Sequence, residues 1–357
     1  MSDFKIQVDD GSSRLSEFAI QQNSSTMELY DWQRRAVNYF FENNFKAIFE
    51  VTTGAGKTYC AIEIIKEILK DKEDFYILIV VPKNVILESG WYKELYDAGI
   101  NLQDIGTYYG RVKEISKITI TNSYNLKKIP FEIFDMVIWD EVHNYGTSRL
   151  LEYVGTNAKY KLGLTATLKR GDDRHYEILK HFDYNLFKYS PQEALNDKIL
   201  NPFDFTNISV ELDPNDMEEY LKLTKNINLI LQANNGYGSL MRTNSGAKYK
   251  VLGLMNNRKD LLNNYYKKFD VVKQIVEKHK KDKIIIFNEY NEQTSKSYWH
   301  LLDVGVKACV MHSGIDQDKR EQNLIDFKND KYNVILASKV LDEGWNVPSV
   351  DTAIIAA

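Results

Sequence analysis

Short apolar segments alternate with amphipathic segments along most of the chain. In the first half the apolar segments fall at 47–51, 76–81, 118–121, 136–139 and 160–164, and each has the length of a buried strand. Segment 59–70 carries apolar residues three and four positions apart, which predicts a helix with one buried face. Strands that alternate with helices predict a parallel sheet with helices on both of its faces. We therefore expect an α/β fold.

The same alternation returns near the end of the chain. Apolar segments at 283–287, 307–311, 333–337 and 352–356 predict a second parallel sheet. Polar helical stretches interrupted by Asn- and Gly-rich turns predict a helical connector before it. The predicted regions are a polar lead or small appendage at 1–28, a first domain at 29–190, the connector at 191–270 and a second domain at 271–357. Because no helix follows the last strand, we expect the second domain to be incomplete.

A glycine-containing segment, 51–58, stands between the first strand and the first helix. The N–H groups at a helix start lack intrahelical acceptors and lie at the positive end of the helix dipole, so they bind phosphate. Gly54 and Gly56 allow a close approach, Lys57 would reach the outer phosphates, and the Thr58 hydroxyl would ligate Mg²⁺. A P-loop usually begins with Gly or Ala, where this chain has Val51. The predicted ATP-binding residues of the loop are Thr53, Gly54, Ala55, Gly56, Lys57 and Thr58.

An acidic pair, Asp140 and Glu141, follows the predicted strand at 136–139. At the carboxyl end of a parallel strand, Asp can hold Mg²⁺ and the adjacent Glu can orient and deprotonate an attacking water. A strand that ends in a polar turn would show the same residues, but the P-loop upstream favours catalysis, with Lys57, Asp140 and Glu141 as the catalytic residues. His143 has no Cys or His cluster around it in the sequence, so we expect it to form hydrogen bonds rather than to bind metal.

Two further segments are candidates for the nucleotide site. Thr165 and Thr167 follow a predicted strand, where they either cap a helix or, with His143, couple the acidic motif to the neighbouring domain. Gln33 stands at the start of a predicted helix. An amide pairs bidentately with the edge of adenine, which makes Gln33 a candidate for selecting ATP.

Charge and cysteine content limit the classes of partner. The formal net charge is −4, so no overall positive field attracts nucleic acid, and such binding would depend on a local groove. Cys60 and Cys309 lie in apolar segments, which predicts reduced core residues of a cytoplasmic protein. No apolar run approaches the ~20 residues that a membrane helix needs, so we expect no membrane contact.

Taken together, the motifs resemble those of superfamily 2 helicases of the DEAH/DEVH-box type. In the first half they are Gln33, the Gly-Lys-Thr loop, Val81-Pro82-Lys83, Thr121-Asn122-Ser123, Asp140-Glu141-Val142-His143 and Thr165-Ala166-Thr167. In the second half, His312-Ser313-Gly314 is followed by segment 334–348, which resembles the family's fifth motif. The acidic box and Gly163-Leu164-Thr165-Ala166-Thr167 are most similar to those of DNA motors: XPB-type repair helicases, phage recombination helicases and restriction-enzyme motor subunits. The resemblance covers about residues 29–357.

This resemblance implies two tandem RecA-like domains, ATP and Mg²⁺ as cofactors, and contacts to the DNA backbone that depend on salt more than on base sequence. It places Gly344 near the nucleotide, across the cleft between the domains. The implied nucleic-acid-binding residues are Pro82, Lys83, Thr121, Ser123 and Ser338. The family usually has Asp where this chain has Asn346, which weakens a contact between the domains or to the nucleotide.

The family's sixth motif supplies an arginine finger worth on the order of 10³-fold or more in rate. It would follow the last predicted strand, and the given sequence stops there. We therefore expect this chain, shortened before that motif, to bind ATP but to hydrolyse it slowly.

These observations predict an ATP-dependent DNA helicase or translocase in the cytoplasm of a bacterial or phage-infected cell. The alternatives are an RNA helicase, a motor subunit of a restriction or defence system, and an ATP-switched nucleic-acid clamp without catalysis. Comparing the stimulation of ATP turnover by DNA with that by RNA separates the predicted DNA helicase from an RNA helicase.

Overall fold

The computed structural model describes residues 28–82, 90–110, 112–243, 245–338 and 350–356. The chain divides into two compact units, the first ending at Asp204 and the second beginning at Phe205. In the described ranges, no helix has the length and apolar character needed to cross a membrane.

The first unit is built on a sheet of eight strands in the order β4-β3-β5-β2-β6-β7-β1-β8. Every neighbouring pair is parallel except β3 with β4, which is antiparallel. The strands are β1 (Lys46–Val51), β2 (Ile77–Val81), β3 (Ile105–Tyr109), β4 (Val112–Lys113), β5 (Ile118–Asn122), β6 (Met136–Trp139), β7 (Tyr160–Thr165) and β8 (Leu186–Tyr189).

Both faces of this sheet are buried. Along β2, Ile77, Ile79 and Val81 belong to one apolar cluster, whereas Leu78 and Val80 belong to the cluster on the opposite face. This alternation follows from the period of two of a strand, and it explains why a strand buried on both faces is apolar throughout. Helices cover the two faces: α1 (Asp31–Glu42), α2 (Lys57–Asp71), α3 (Tyr92–Asp97), α4 (Ser148–Val154), α5 (His175–Lys180) and α6 (Pro191–Asn196).

Strand register brings three strand ends to one place. On β7, Thr165 pairs with Glu50 of β1, and Gly163 pairs with Trp139 of β6. Because the strands are parallel, the loops after β1, β6 and β7 leave from the same edge of the sheet. Open α/β sheets bind ligands at the carboxyl ends of their strands, so this edge is where a site is expected.

The second unit has a smaller parallel sheet of four strands in the order β10-β11-β9-β12. Its strands are β9 (Ile284–Asn288), β10 (Ala308–Met311), β11 (Val334–Ser338) and β12 (Thr352–Ile355). Its helices are α7 (Pro214–Ala233), α8 (Tyr237–Met241), α9 (Gly246–Asn263), α10 (Tyr266–Lys278), α11 (Asn291–Leu302) and α12 (Gln317–Lys328). Helices α7, α8 and α9 share a small apolar cluster around Ile227, Leu240 and Val251, separate from the clusters of the sheet.

The predicted α/β fold with two parallel sheets is confirmed, and it has the strand and helix alternation of RecA-like domains. Each of the predicted strands is present, within one or two residues of its predicted ends. The sequence analysis missed β3, β4 and β8, because β3 and β8 are only partly buried and lack a continuous apolar run, and β4 is very short. Within the predicted connector, α6 belongs to the first unit and α7 to α9 belong to the second. The domain boundaries drawn from the sequence stay a prediction.

Candidate nucleotide site

The loop between β1 and α2 has a backbone that requires glycine. Gly54 has φ +77° and Gly56 has φ +92°, in the left-handed region where side chains with a Cβ are strained. A Cβ on Gly56 would also lie 2.9 Å from Gln33 Nε2. Helix α2 begins directly afterwards at Lys57, and its first N–H groups have no intrahelical acceptor. The loop therefore forms a cradle for an anion, with Thr53, Ala55 and Thr58 in the same segment.

Gln33 is 4% exposed and holds the loop in place. Its Nε2 donates to Gly56 O at 3.2 Å, and its Oε1 accepts from Tyr30 N at 2.9 Å. The side chain thus joins the start of α1 to the P-loop backbone. Its predicted contact with adenine stays a prediction, since the structure shows these internal partners for both ends of the amide.

Asp140 follows β6 and is 9% exposed. Its Oδ2 accepts from Trp91 Nε1 at 2.9 Å, and its Oδ1 accepts from Glu141 N at 3.0 Å. Burial raises the pKa of Asp140 to about 6, although the hydrogen bond from Trp91 opposes the rise. A buried acid with this pKa is in reach of its charged form at neutral pH, and a divalent cation would favour that form further.

Glu141 stands between two positive or polar partners. Its Oε1 lies 3.4 Å from Lys57 Nζ, and its Oε2 lies 3.4 Å from His143 Nδ1. The backbone of Glu141 is left-handed, with φ 47° and ψ 54°. That conformation costs about 1–3 kcal/mol in a residue other than glycine and is concentrated at functional sites. It turns the chain sharply after the strand and aims Glu141 toward the loop that carries Lys57.

His143 connects the acidic motif to the segment after β7. Its Nδ1 lies 2.9 Å from Thr165 Oγ1. The Thr165 hydroxyl donates to Thr167 O at 3.1 Å and accepts from Thr167 N at 3.2 Å. These contacts join the three residues that the sequence analysis assigned to coupling, although the coupling itself stays a prediction.

Sequence reasoning missed three residues of this region. Trp91 donates a hydrogen bond to Asp140, and Glu94 of α3 lies close enough to Thr58 for Thr58 to lower its pKa. Arg170 donates to His143 O and forms a bidentate pair with Asp172, with both N···O distances at 2.9 Å. None belongs to a motif that the sequence analysis used, and only the fold brings them to this edge. Trp91 and Glu94 are an aromatic residue and an acid three positions apart, and this pattern is too common in sequences to indicate a functional site.

The residues present fit a nucleotide with Mg²⁺. The cradle can hold phosphates, Lys57 is a cation within reach of the loop, and Thr58 and Asp140 carry the oxygen ligands that Mg²⁺ prefers. Among the residues that the structure describes, no group of three or more His, Cys, Asp or Glu side chains could form a metal cage. Mg²⁺ sites in nucleotide-binding proteins need only one or two protein ligands, because substrate phosphates and water supply the others.

Comparison with known proteins identifies the family. Residues 26–170 match the family model described as "Type III restriction enzyme, res subunit", and residues 267–357 match "Helicase conserved C-terminal domain". The chain is 29% identical over 348 residues to the DNA 3'-5' translocase XPB2 of Sulfurisphaera tokodaii, with 92% of this chain and 74% of that protein covered. The chain belongs to the superfamily 2 helicases.

Other relatives of this superfamily 2 protein are more distant. It is 23% identical to a putative DNA 3'-5' helicase Rad25 of Haloarcula marismortui, with 93% of this chain and 48% of that protein covered. It is 23% identical to a type I restriction enzyme EcoAI endonuclease subunit of Escherichia coli, with 51% and 24% covered. The chain thus spans about half or less of these two relatives.

The fold is shared with a solved helicase domain. The Pyrococcus furiosus Hef helicase domain superposes with a TM-score of 0.60 at 16% identity, covering 90% of this chain and 88% of that one. At this identity the likeness concerns the fold alone.

Four of the implied nucleic-acid-binding residues lie in the described part of this superfamily 2 chain, and three of them are hydroxyl residues with internal partners. Thr121 is buried and donates to Tyr108 O at 2.8 Å, and Ser123 donates to Pro82 O at 2.8 Å. In the second unit, Ser338 is buried and donates to Asn291 Oδ1 at 2.5 Å. Pro82 is buried as well. Lys83 and Gly344, together with Asn346, lie outside the described residues, and all of these nucleic-acid roles stay predictions.

Proposed function

We propose that this superfamily 2 protein is an ATP-dependent DNA translocase or helicase. The observation that carries the proposal is the contact of Lys57 with Glu141 at 3.4 Å, which joins the phosphate-binding loop to the acidic motif at one sheet edge. Neither segment alone is specific for ATP hydrolysis, but a cation and a carboxylate facing each other beside a phosphate cradle suit phosphoryl transfer.

Each residue has a role in this mechanism. The loop and Lys57 bind the phosphates. When Lys57 pairs with the nucleotide, its ion pair with Glu141 breaks and the carboxylate becomes available to the attacking water. Glu141 then accepts a proton from the water that attacks the γ-phosphorus, while the bond from that phosphorus to the bridging oxygen breaks. Thr58 and Asp140 would hold Mg²⁺, which neutralises charge on the phosphates when bound. Gln33 keeps the loop in its shape and His143 orients Glu141.

DNA is the proposed partner because relatives that match over more than nine-tenths of this chain are named as DNA translocases or helicases. The structure adds an exposed aromatic residue at the end of β5. Tyr124 is 76% exposed, yet its backbone is fixed, because Asn122 Oδ1 accepts from Tyr124 N at 3.0 Å. Three exposed lysines belong to the same region. Lys127 and Lys128 follow Tyr124 in the sequence, and Lys113 donates to Asn125 in the loop after β5.

An aromatic face flanked by lysines suits a single strand, since bases stack on the ring and phosphates pair with the cations. Tyr124→Ala should weaken binding of a single-stranded oligonucleotide by roughly 10-fold, consistent with stacking worth about 1–3 kcal/mol per base. Tyr176→Ala is the matched control, since Tyr176 is 61% exposed in the same unit. Equal effects of the two changes, measured by fluorescence anisotropy at fixed salt, would remove Tyr124 from the DNA path.

The enzymatic proposal is tested by nucleotide turnover with DNA and RNA as separate stimulants. Glu141→Gln should still bind ATP but hydrolyse it about 10²–10⁴-fold more slowly, because the proton acceptor is lost. Glu152→Gln, an exposed acid on α4, is the control. Stimulation by RNA equal to that by DNA would contradict the DNA assignment.

A motor subunit of a restriction system is a second candidate, favoured by the match of residues 26–170 to the restriction-enzyme family model. Such a motor would share the ATP and DNA activities and would differ by associating with a nuclease or modification subunit. In either case we propose a cytoplasmic location, where both ATP and DNA are present.

A further inference from the structure

A single helical turn lies beside both residues that would hold the metal ion. Trp91 directly precedes α3, and Glu94 lies in the first turn of that helix. Residues three apart on a helix lie on the same face, and Leu95 beside them is fully buried and anchors the helix in the core. The face that carries Trp91 and Glu94 is therefore fixed against the nucleotide site.

Trp91 determines the direction of the Asp140 carboxylate. The indole is 2% exposed, and its Nε1 donates to Asp140 Oδ2 at 2.9 Å. The other oxygen, Oδ1, accepts from Glu141 N. With one hydrogen bond on each oxygen, the carboxylate has a single orientation, and each oxygen keeps a lone pair for a further contact.

Glu94 lies beside the second ligand. Thr58, Lys57 and Asp140 are all close enough to Glu94 to influence its pKa. Burial raises the pKa of Glu94, and the hydrogen bond from Thr58 opposes the rise. Its Oε2 is fully buried and accepts no hydrogen bond from the residues that the structure describes. A buried carboxylate oxygen without a donor is costly and calls for an explanation in a native fold.

We propose that Trp91 and Glu94 are positioning residues for the Mg²⁺ of the nucleotide site, and that Glu94 Oε2 accepts a hydrogen bond from water that the ion carries. The inference rests on the proposed function, because it assigns Thr58 and Asp140 to that ion. Groups that orient metal ligands usually act through such hydrogen bonds, and their loss costs about 10–100-fold in metal affinity or activity. The unpaired oxygen then has its donor when the metal nucleotide is bound.

The decisive variant is Glu94→Gln. Gln keeps the shape and one carbonyl oxygen for Thr58, but it places an amide N–H where Oε2 was, so it cannot accept from water at that position. Binding of a non-hydrolysable ATP analogue is measured by calorimetry in Mg²⁺ and again in EDTA. We expect the affinity in Mg²⁺ to fall about 10–100-fold and the affinity in EDTA to stay unchanged.

Glu67→Gln is the matched control, since Glu67 is on α2 and pairs with Lys70 at the surface. Its affinities in both media should equal those of the unaltered chain. A purely structural role of Glu94 would lower both affinities together or lower only thermal stability, and either result would overturn the inference.

Trp91→Phe gives a spectroscopic test of the other residue. The fluorescence emission of the Trp91 indole should change when Mg²⁺ is added to the nucleotide-bound protein, because the ion would bind the carboxylate that accepts the indole's hydrogen bond. The change should vanish in Trp91→Phe and persist in Trp299→Phe, since Trp299 is 62% exposed in the second unit. An emission change that survives in Trp91→Phe would overturn the assignment of Trp91.

The two levels of the proposal fail differently. If the unaltered chain binds the analogue more tightly with Mg²⁺ and Glu94→Gln does the same to the same degree, the positioning role alone is wrong. If the unaltered chain binds no nucleotide in Mg²⁺, the proposed function fails and this inference fails with it.

Discussion

The carboxyl ends of the two sheets carry different chemistry. In the first unit, this edge holds Lys57, Asp140 and Glu141, which are charged and in mutual contact or bonded to neighbours. In the second unit, the described part of the corresponding edge holds mainly amides and hydroxyls, with Ser338 bonded to Asn291, and one acid, Glu289, which pairs with Lys259 at 2.8 Å. Among the described residues, the acid of the first edge therefore faces the lysine of the phosphate-binding loop, whereas the acid of the second edge pairs with a lysine of α9.

The contrast supports the proposal that the first edge takes part in phosphoryl transfer. Charged groups at a half-buried edge are costly unless they are paired. Here Lys57 pairs with Glu141, and a bound phosphate could take the place of Glu141 beside Lys57. Asn288, Asn291, Ser313 and Ser338 carry no charge that would compensate a phosphate or a metal ion. Asn288 is 6% exposed, and neither of its amide atoms has a partner among the described residues. These four described side chains suit hydrogen bonding rather than charge compensation.

Lys57→Ala should have the largest effect and would test whether the charged edge is the reacting one. It removes the only candidate that the sequence offers for contacting the outer phosphates from the P-loop, and it leaves Glu141 without its cation. Turnover of ATP should fall by about 10²–10³-fold, as for other preorganised donors to a transition state. Lys66→Ala, on the outer part of α2, is the control. Comparable turnover in both variants would show that the edge carrying Lys57 is not the reacting one.

Gly56→Ala should have a smaller effect, through the shape of the cradle. The added Cβ meets Gln33 Nε2 at 2.9 Å and sits on a backbone with φ +92°, which is strained by about 1–2 kcal/mol in a residue other than glycine. We expect roughly a 10-fold loss of affinity for an ATP analogue, measured by calorimetry, since 1.4 kcal/mol corresponds to a factor of ten. Gly253→Ala, in a helix with open space around it, should leave affinity unchanged.

Ser338→Ala should have the smallest effect on nucleotide affinity. It tests the comparison of the two sheet edges from the second unit. It removes the buried hydroxyl that bonds Asn291 and should destabilise the second unit by about 1 kcal/mol. Urea unfolding should detect the loss, while affinity for the ATP analogue should not change. A clear loss of nucleotide affinity would mean that the carboxyl edge of the second sheet takes a direct part in binding ATP.

Much of the fold was predictable because buried parallel strands are apolar throughout and their flanking helices are amphipathic. The P-loop and the acidic pair were found from spacing, since glycines before Lys-Thr and acids after an apolar strand are local patterns. The partly exposed strands β3 and β8 gave no such pattern. Gln33 was found as a candidate for contacting adenine, but its hydrogen bonds to Tyr30 N and to Gly56 O of the loop were not predicted.

The hydroxyl residues show most clearly what the sequence does not predict about the site. Thr121 and Ser338 stand in segments that the family resemblance assigns to nucleic acid, yet their side chains are buried and hydrogen-bonded inside the protein. A sequence gives the residue type at a strand end but not the direction of its side chain or the partner that it finds. Any contact of these segments with a nucleic-acid backbone would have to use main-chain groups or exchange these hydrogen bonds.

The sequence by itself determined the alternation of strands and helices, the phosphate-binding loop and the acidic pair, because each depends on residues close together in the chain. Only the tertiary structure decided that Glu141 faces Lys57, that Trp91 orients Asp140, and that Glu94 lies beside Thr58. Strand order and register set these contacts, by bringing the ends of β1, β6 and β7 to one edge and packing α3 against it. Residues far apart in sequence come within hydrogen-bond distance there, and no local pattern in the chain encodes that distance.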